Sequence, residues 1–238
     1  MASYQVKLVG REELAEGTLA FRLEKPAGFQ FKAGQAIVLE LLDPPPEDGQ
    51  KRRTFSLVSA PFEETLVIAT RMRDTAFKRA LKALPGGAGL KLTGPIGQFT
   101  LTDAARPAVF IAGGIGITPF MSMLRQAARD HAPQALLLLY SNRRPEDAAF
   151  LRELQELEAQ NRNFRLFATM TEMSKSAHPW SGQTGVIDAA LISRATRGLK
   201  TPVYYVVGPP AMVIAMQETL RGAGVSDEDI RSEEFYGY

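Results

Sequence analysis

Val109-Phe110-Ile111-Ala112-Gly113-Gly114-Ile115-Gly116-Ile117-Thr118-Pro119 is the stretch that decides the fold. Its apolar residues read as a buried strand and its glycines as a tight turn. Pro119 then opens a helix, where its missing N–H costs nothing. A strand, a glycine turn and a helix start bring bare backbone N–H groups and a positive helix end to one place, which suits a pyrophosphate. Strand–helix alternation continues downstream. Residues 119–129 form an amphipathic helix, 136–140 a strand, and Phe150, Leu151, Leu154 and Leu157 one face of a helix. A strand over 164–170, a helix near 188–194, a strand over 203–207, a helix over 211–223 and a last strand ending at Phe235 follow. This order predicts an α/β doubly wound parallel sheet over 104–238, with ligands at the carboxyl ends of its strands.

Upstream the period drops to two. Residues 18–23, 36–41, 53–58, 65–70 and 90–93 are short β-like runs. Pro26-Ala27-Gly28, Ala33-Gly34-Gln35 and Pro44-Pro45-Pro46 are turn signals between them. So many strands predict a small antiparallel β-barrel over 1–103. One helix interrupts it, with Thr75 as N-cap, Phe77, Leu81 and Leu84 at near-helical spacing, and Pro85-Gly86-Gly87 as its stop. Asp103-Ala104-Ala105-Arg106-Pro107 is the expected boundary between the two domains.

Composition sets limits. The 238 residues are 45% apolar, enough for two modest cores. No cysteine is present, which excludes disulfides, cysteine-ligated iron–sulfur clusters, thiolate zinc sites and a cysteine nucleophile. With only His131 and His178, no metal site is expected, so any electron carrier must be organic. The net charge of +2 gives no reason to expect nucleic acid. No apolar window is long enough to insert in a membrane, and residues 1–5 lack a signal-peptide pattern, so a cytoplasmic protein is expected. Lys51, Arg52, Arg71, Arg73, Lys78, Arg79 and Lys82 mark either a basic face for an acidic partner or an ordinary solvated surface. Trp180 and His178 read as parts of a packed loop.

Arg53-Thr54-Phe55-Ser56 offers a fixed cation, an aromatic plane and a hydroxyl side by side. Together with the glycine turn and with Val207-Gly208-Pro209-Pro210-Ala211-Met212, it makes the chain resemble the ferredoxin–NADP⁺ reductase-like flavoprotein superfamily, from about Tyr4 to Phe235. The resemblance implies an FAD-binding barrel and an NAD(P)-binding α/β domain. It implies that Arg53 pairs with the FAD pyrophosphate, that Phe55 packs on the ribityl–isoalloxazine region, and that Ser56 bonds near flavin N5. Guanidinium gives the bidentate phosphate contacts that lysine cannot. The family usually has tyrosine where Phe55 stands. Ile68, Ala69 and Thr70 resemble the strand whose backbone meets the flavin edge. Asp74, Thr75 and Ala76 resemble the phosphate-binding helix start, which favours FAD over FMN.

On the nicotinamide side, Gly113, Gly114, Gly116, Thr118 and Pro119 match the pyridine-nucleotide turn, and Gly208, Pro209 and Met212 the second contact loop. Thr118 is placed to reach the junction with the flavin. Val207 stands where the family often has cysteine. Glu233 resembles a catalytic carboxylate, and Phe235 or Tyr236 an aromatic that covers the flavin; a last strand capped by core aromatics is the other reading of that ending. Arg143 and Arg144 follow the second strand, where they can hold a 2′-phosphate or simply carry surface charge; the balance leans slightly to NADPH over NADH. The implied activity takes hydride from NAD(P)H and passes electrons to a small acidic redox protein such as ferredoxin or flavodoxin. An oxygenase reductase component, a flavin or ferric reductase, and a non-catalytic nucleotide-binding subunit are the alternatives.

Overall fold

The computed structural model describes residues 1–43 and 46–236. Pro44 and Pro45 of the expected turn, and Gly237 and Tyr238 of the tail, lie outside the described residues. The chain divides into two compact units: Met1–Thr100 with Thr118–Gln126, and Leu101–Ile117 with Ala127–Tyr238. The second unit thus begins at Leu101 rather than 104, and the first turns of the helix after the glycine turn group with the first unit.

The first unit holds β1 (Ala2–Ala15), β2 (Thr18–Glu24), β3 (Ala36–Leu41), β4 (Arg52–Ser56), β5 (Thr65–Arg71), α1 (Ala76–Ala83) and β6 (Gly89–Ile96). All neighbours pair antiparallel in the order β4-β3-β6-β1-β2-β5. The end strands β4 and β5 are bridged where Val58 N–H donates to Val67 O at 2.8 Å, turning the sheet towards a barrel. β4 pairs with β3 as far as Ser56, and Leu57 N–H still donates to Gln35 O at 3.0 Å before Val58 turns to β5. The interior is filled by alternate residues, among them Val6, Leu8, Phe21, Ile37, Leu39 and Ile68.

β1 has no counterpart among the expected strands. Gly10, Arg11, Glu12 and Glu13 blur its alternation. Tertiary pairing overrides that pattern: β1 serves two partners, with Ala2–Lys7 on β6 and Leu8–Ala15 on β2. α1 follows expectation, since Thr75 has extended backbone (φ −124°, ψ 148°) and its side chain accepts from Lys78 N–H at 3.3 Å.

The second unit contains β7 (Ala108–Gly113), β8 (Leu136–Asn142), α3 (Leu151–Gln160), β9 (Phe164–Met170), β10 (Gln183–Thr184), α4 (Ala189–Ala195), β11 (Val203–Gly208), α5 (Pro210–Gly222) and β12 (Ile230–Glu234). α2 (Thr118–Arg129) follows β7 through a 3₁₀ turn at Gly114–Ile117. The strands are parallel in the order β10-β9-β8-β7-β11-β12. From β7 the chain winds outward to β10 and then returns to the other side as β11. β7 is therefore the topological switch strand, and its carboxyl end is where such a sheet takes ligands.

Phe150 is not part of α3. It precedes the helix in left-handed conformation (φ 62°) and is buried, so its ring is placed by a turn and not by helical periodicity.

Candidate functional site

On the first unit, Arg53 is a preset cation. Its guanidinium lies 5.4 Å from the centre of the Phe77 ring and donates to Gln50 Oε1 and Arg52 O, both at 2.8 Å. It borders a cleft of about 380 Å³ with Glu40, Gly49, Gln50, Lys51 and Arg52. Around the start of α1, Arg73 and Arg53 both act on half-buried Lys78, whose Nζ donates to Arg71 O at 2.7 Å. Burial first, then Arg73, then Arg53, push the Lys78 pKa down. No acid stands in the first turn of α1. Like charges gathered at a helix start are relieved by an anion, so these residues fit a diphosphate.

The remaining flavin-side residues divide by depth. Ser56 is buried, and Thr54, Asp74 and Thr75 are exposed. Ile68, Ala69 and Thr70 are all buried on β5, an end strand with one edge turned away from β2. Phe55 belongs to the barrel core and packs on Phe77 at 6.0 Å. Phe55 is 9% exposed and its neighbour Ser56 6%, so both faces of the strand are covered at this end.

The basic face is also less bare than it reads in sequence. Arg52 and Lys91 pair with Glu40, Arg79 pairs with Glu47 and Asp74, and Lys78 is turned to a backbone carbonyl. Much of its charge is answered within the unit.

On the second unit, the carboxyl ends of β7, β11 and β12 bring the expected nicotinamide residues together. A Cβ on Gly116 would lie 2.4 Å from Val207 O, and one on Gly113 would lie 2.3 Å from Met212 Sδ and 3.0 Å from Pro209 Cδ. The two contact loops therefore pack on each other, and at 116, where the obstacle is backbone, only glycine fits between them. Glu233 lies opposite Val207 and Glu234 opposite Gly208, while Phe235 N–H donates to Gly208 O at 2.9 Å. Burial pushes the Glu233 carboxyl up to about 7. Phe235 is half-buried; Tyr236 is exposed, and its hydroxyl bonds the Glu234 carboxylate.

Arg143 and Arg144 lie apart from that cluster, beyond the end of β8. Both point to Asp147, whose side chain is only 2% exposed. Arg144 forks onto it, with Nε to Oδ2 at 2.9 Å and Nη2 to Oδ1 at 3.2 Å, while Arg143 makes one contact at 3.2 Å and stays 47% exposed. Glu146 also faces Arg144 and ties down the loop after β9, accepting from Ser176 Oγ and Ala177 N–H. His178 and Trp180 belong to that loop; Trp180 Nε1 donates to Gln183 O at 2.8 Å. Lys78, beside Arg53 and Arg73, and Asp147, between Arg143 and Arg144, are residues that the motifs do not mark. Asp147 was open to detection, since it stands three and four residues from the arginines.

The chain has relatives among known proteins. Residues 110–218 match a family described as "Oxidoreductase NAD-binding domain". Ferredoxin–NADP reductase B of Sorangium cellulosum is 30% identical over 98% of this chain and 97% of its own length. The chain belongs to the ferredoxin–NADP⁺ reductase-like superfamily. The reductase subunit of glycine betaine monooxygenase from Chromohalobacter salexigens is 28% identical, and there the chain covers 92% of itself but only 60% of the relative. In fold, it matches a ferredoxin NADP⁺ reductase from Neisseria gonorrhoeae, solved with bound FAD and NADP, with a TM-score of 0.80, 23% identity and 98% coverage of both chains. The antiparallel unit and the parallel unit are the two domains of this superfamily, and the protein is an oxidoreductase. Among the described residues, no helix is long and apolar enough to cross a membrane.

Proposed function

We propose that this superfamily member takes hydride from NAD(P)H and delivers electrons to a redox protein, with ferredoxin or flavodoxin as the leading acceptor and the cytoplasm as its setting. The observation that carries the proposal is the pairing of a cation-lined helix start on an antiparallel barrel with a glycine turn at a topological switch point. Bound FAD supplies the ring that accepts hydride and releases electrons singly. Arg53, Lys78 and the Thr75 end of α1 hold its diphosphate. Ser56 offers a hydroxyl to its ring, and the Ile68–Ala69–Thr70 backbone lines its edge. Gly113, Gly114 and Gly116 present N–H groups to the dinucleotide, flanked by Thr118, Pro119, Gly208, Pro209 and Met212. Glu233 holds a proton at its carboxyl near neutral pH, and Phe235 or Tyr236 shields the ring.

Purified protein should be yellow, bleach with NAD(P)H without oxygen, and regain its colour on adding an acceptor. Flavin that never bleaches would leave the non-catalytic alternative standing. Recovery with an oxygenase component, free flavin or ferric chelate, but not with ferredoxin or flavodoxin, would move the assignment to those alternatives.

For donor choice we propose at most a modest preference for NADPH, resting on Arg143, because Arg144 already serves Asp147. Arg143→Ala should raise KM for NADPH less than about tenfold, leave NADH nearly unchanged, and cost under about 1 kcal/mol of stability. Arg144→Ala removes the forked partner of a buried carboxylate that keeps a single Arg143 contact, and should cost about 3 kcal/mol. Comparing thermal melts with KM for both donors separates the two roles.

Glu233 gives a pH signature. Its folded pKa of about 7 stands above the ordinary 4.5, so the folded protein binds a proton that the unfolded chain releases. The stability this gives is complete below pH 4.5 and is lost as pH rises through 7. Glu233→Gln should flatten the fall in stability over that window, measured by melting at pH 5 and pH 8. A variant with the wild-type slope would remove Glu233 as its source.

A further inference from the structure

We propose that Arg11 is a positioning residue for the flavin, tying the C-terminal end of α1 to β1 so that the other end of the helix meets the diphosphate. This rests on the reading of the α1 start as the diphosphate site. Arg11 Nη1 donates to Leu84 O at 2.9 Å and also bonds Lys82 O. These carbonyls belong to the last turn and the C-cap of α1, where helix carbonyls lack intrahelical partners. Pro85 follows and has no N–H to offer them. The chain beyond is tied to the same strand: Gly87 N–H donates to Leu8 O at 2.8 Å, and Leu8 N–H to Ala88 O at 2.9 Å. β1 thus grips the exit of α1 through both Leu8 and Arg11.

A bulge in β1 puts Arg11 there. Leu8 pairs with Leu23 but Gly10 pairs with Arg22, so β1 carries one extra residue between them. Leu8 and Arg11 are three apart and would face opposite ways in a regular strand. Past the bulge, Arg11 stands opposite fully buried Phe21, on the same core side as Leu8 opposite Leu23. A guanidinium on the core side of a barrel strand needs acceptors, and the end of α1 supplies them. Its charge also suits the negative end of the helix.

Arg11 acts on the flavin through α1, whose eight residues span about 12 Å. A helix that short is unstable alone in water, so the contacts at its ends and on its apolar face fix it. Phe77 and Leu81 bury that face, Thr75 caps the start, and Arg11 closes the finish. Without Arg11 the helix is held by its apolar face and its start alone. The free N–H groups of its first turn then lose their fixed place beside Arg53.

The test titrates the flavin-stripped full chain, as wild type, R11A and R11K, with FAD and with FMN, which lacks the second phosphate. Wild type should prefer FAD. R11A should bind FAD about fivefold more weakly and FMN nearly as wild type does, so the preference shrinks about fivefold. R11K, with a donor on a shorter stem, should fall between, and it carries the same comparison if R11A does not fold. R11A should also melt about 2–4 °C lower. A lower melting temperature with unchanged flavin affinities would show that Arg11 stabilises the fold and nothing more. Equal weakening of FAD and FMN would place its effect on the ring and not on the diphosphate; either result overturns the proposal. Wild type that shows no preference for FAD would instead overturn the diphosphate reading itself, and the proposal with it.

Discussion

Gly116→Ala is expected to slow reduction of the flavin by NAD(P)H about a hundredfold while leaving flavin content intact. The added Cβ would stand 2.4 Å from Val207 O and 2.7 Å from Val207 C, both backbone atoms of a central strand that cannot swing aside. The turn must therefore move away from β11, at a cost of about 1–3 kcal/mol in strain. The proposed dinucleotide site is formed by that turn and by Gly208, so its N–H groups lose their register. Misplacement on the order of 1 Å lowers a hydride-transfer rate about a hundredfold. Rapid-mixing measurement of flavin bleaching decides it. A wild-type rate would show that the dinucleotide does not use this turn. Gly113→Ala is a milder comparison, because its main obstacle is the flexible Met212 side chain.

Arg53→Ala should release most of the FAD. The lost guanidinium makes charge-assisted phosphate contacts worth about 1.5–3 kcal/mol, which weakens flavin binding by roughly ten- to a hundredfold. Arg53 also covers Phe77 and holds Gln50, so the wall of the cleft loosens with it. Arg53→Lys keeps the charge but not the planar fork and should fall between alanine and wild type. The ratio of flavin to protein absorbance after gel filtration, with titration of the stripped protein, measures the effect. Full occupancy in the alanine variant would mean that the diphosphate is held elsewhere.

The readable parts of this chain are those where local chemistry and global fold agree. The glycine turn, the Thr75 cap and the apolar runs of β7, β8, β9 and β11 each lie where their patterns put them, because each is governed by neighbours within a few residues. Together they determined an antiparallel barrel followed by a doubly wound sheet, and the motifs on them determined the superfamily. What lay beyond the sequence depended on distant partners. β1 is a strand because β6 and β2 pair with it. Phe55 belongs to the barrel core because Phe77 of α1 lies beside it. Gly116 must be glycine because Val207 passes over it, and of the two arginines after β8 it is Arg144 that forks onto a carboxylate that folding buries, while Arg143 stays half exposed. Whether a charge is satisfied is a property of the folded surroundings, so only the tertiary structure could show Arg144 as paired.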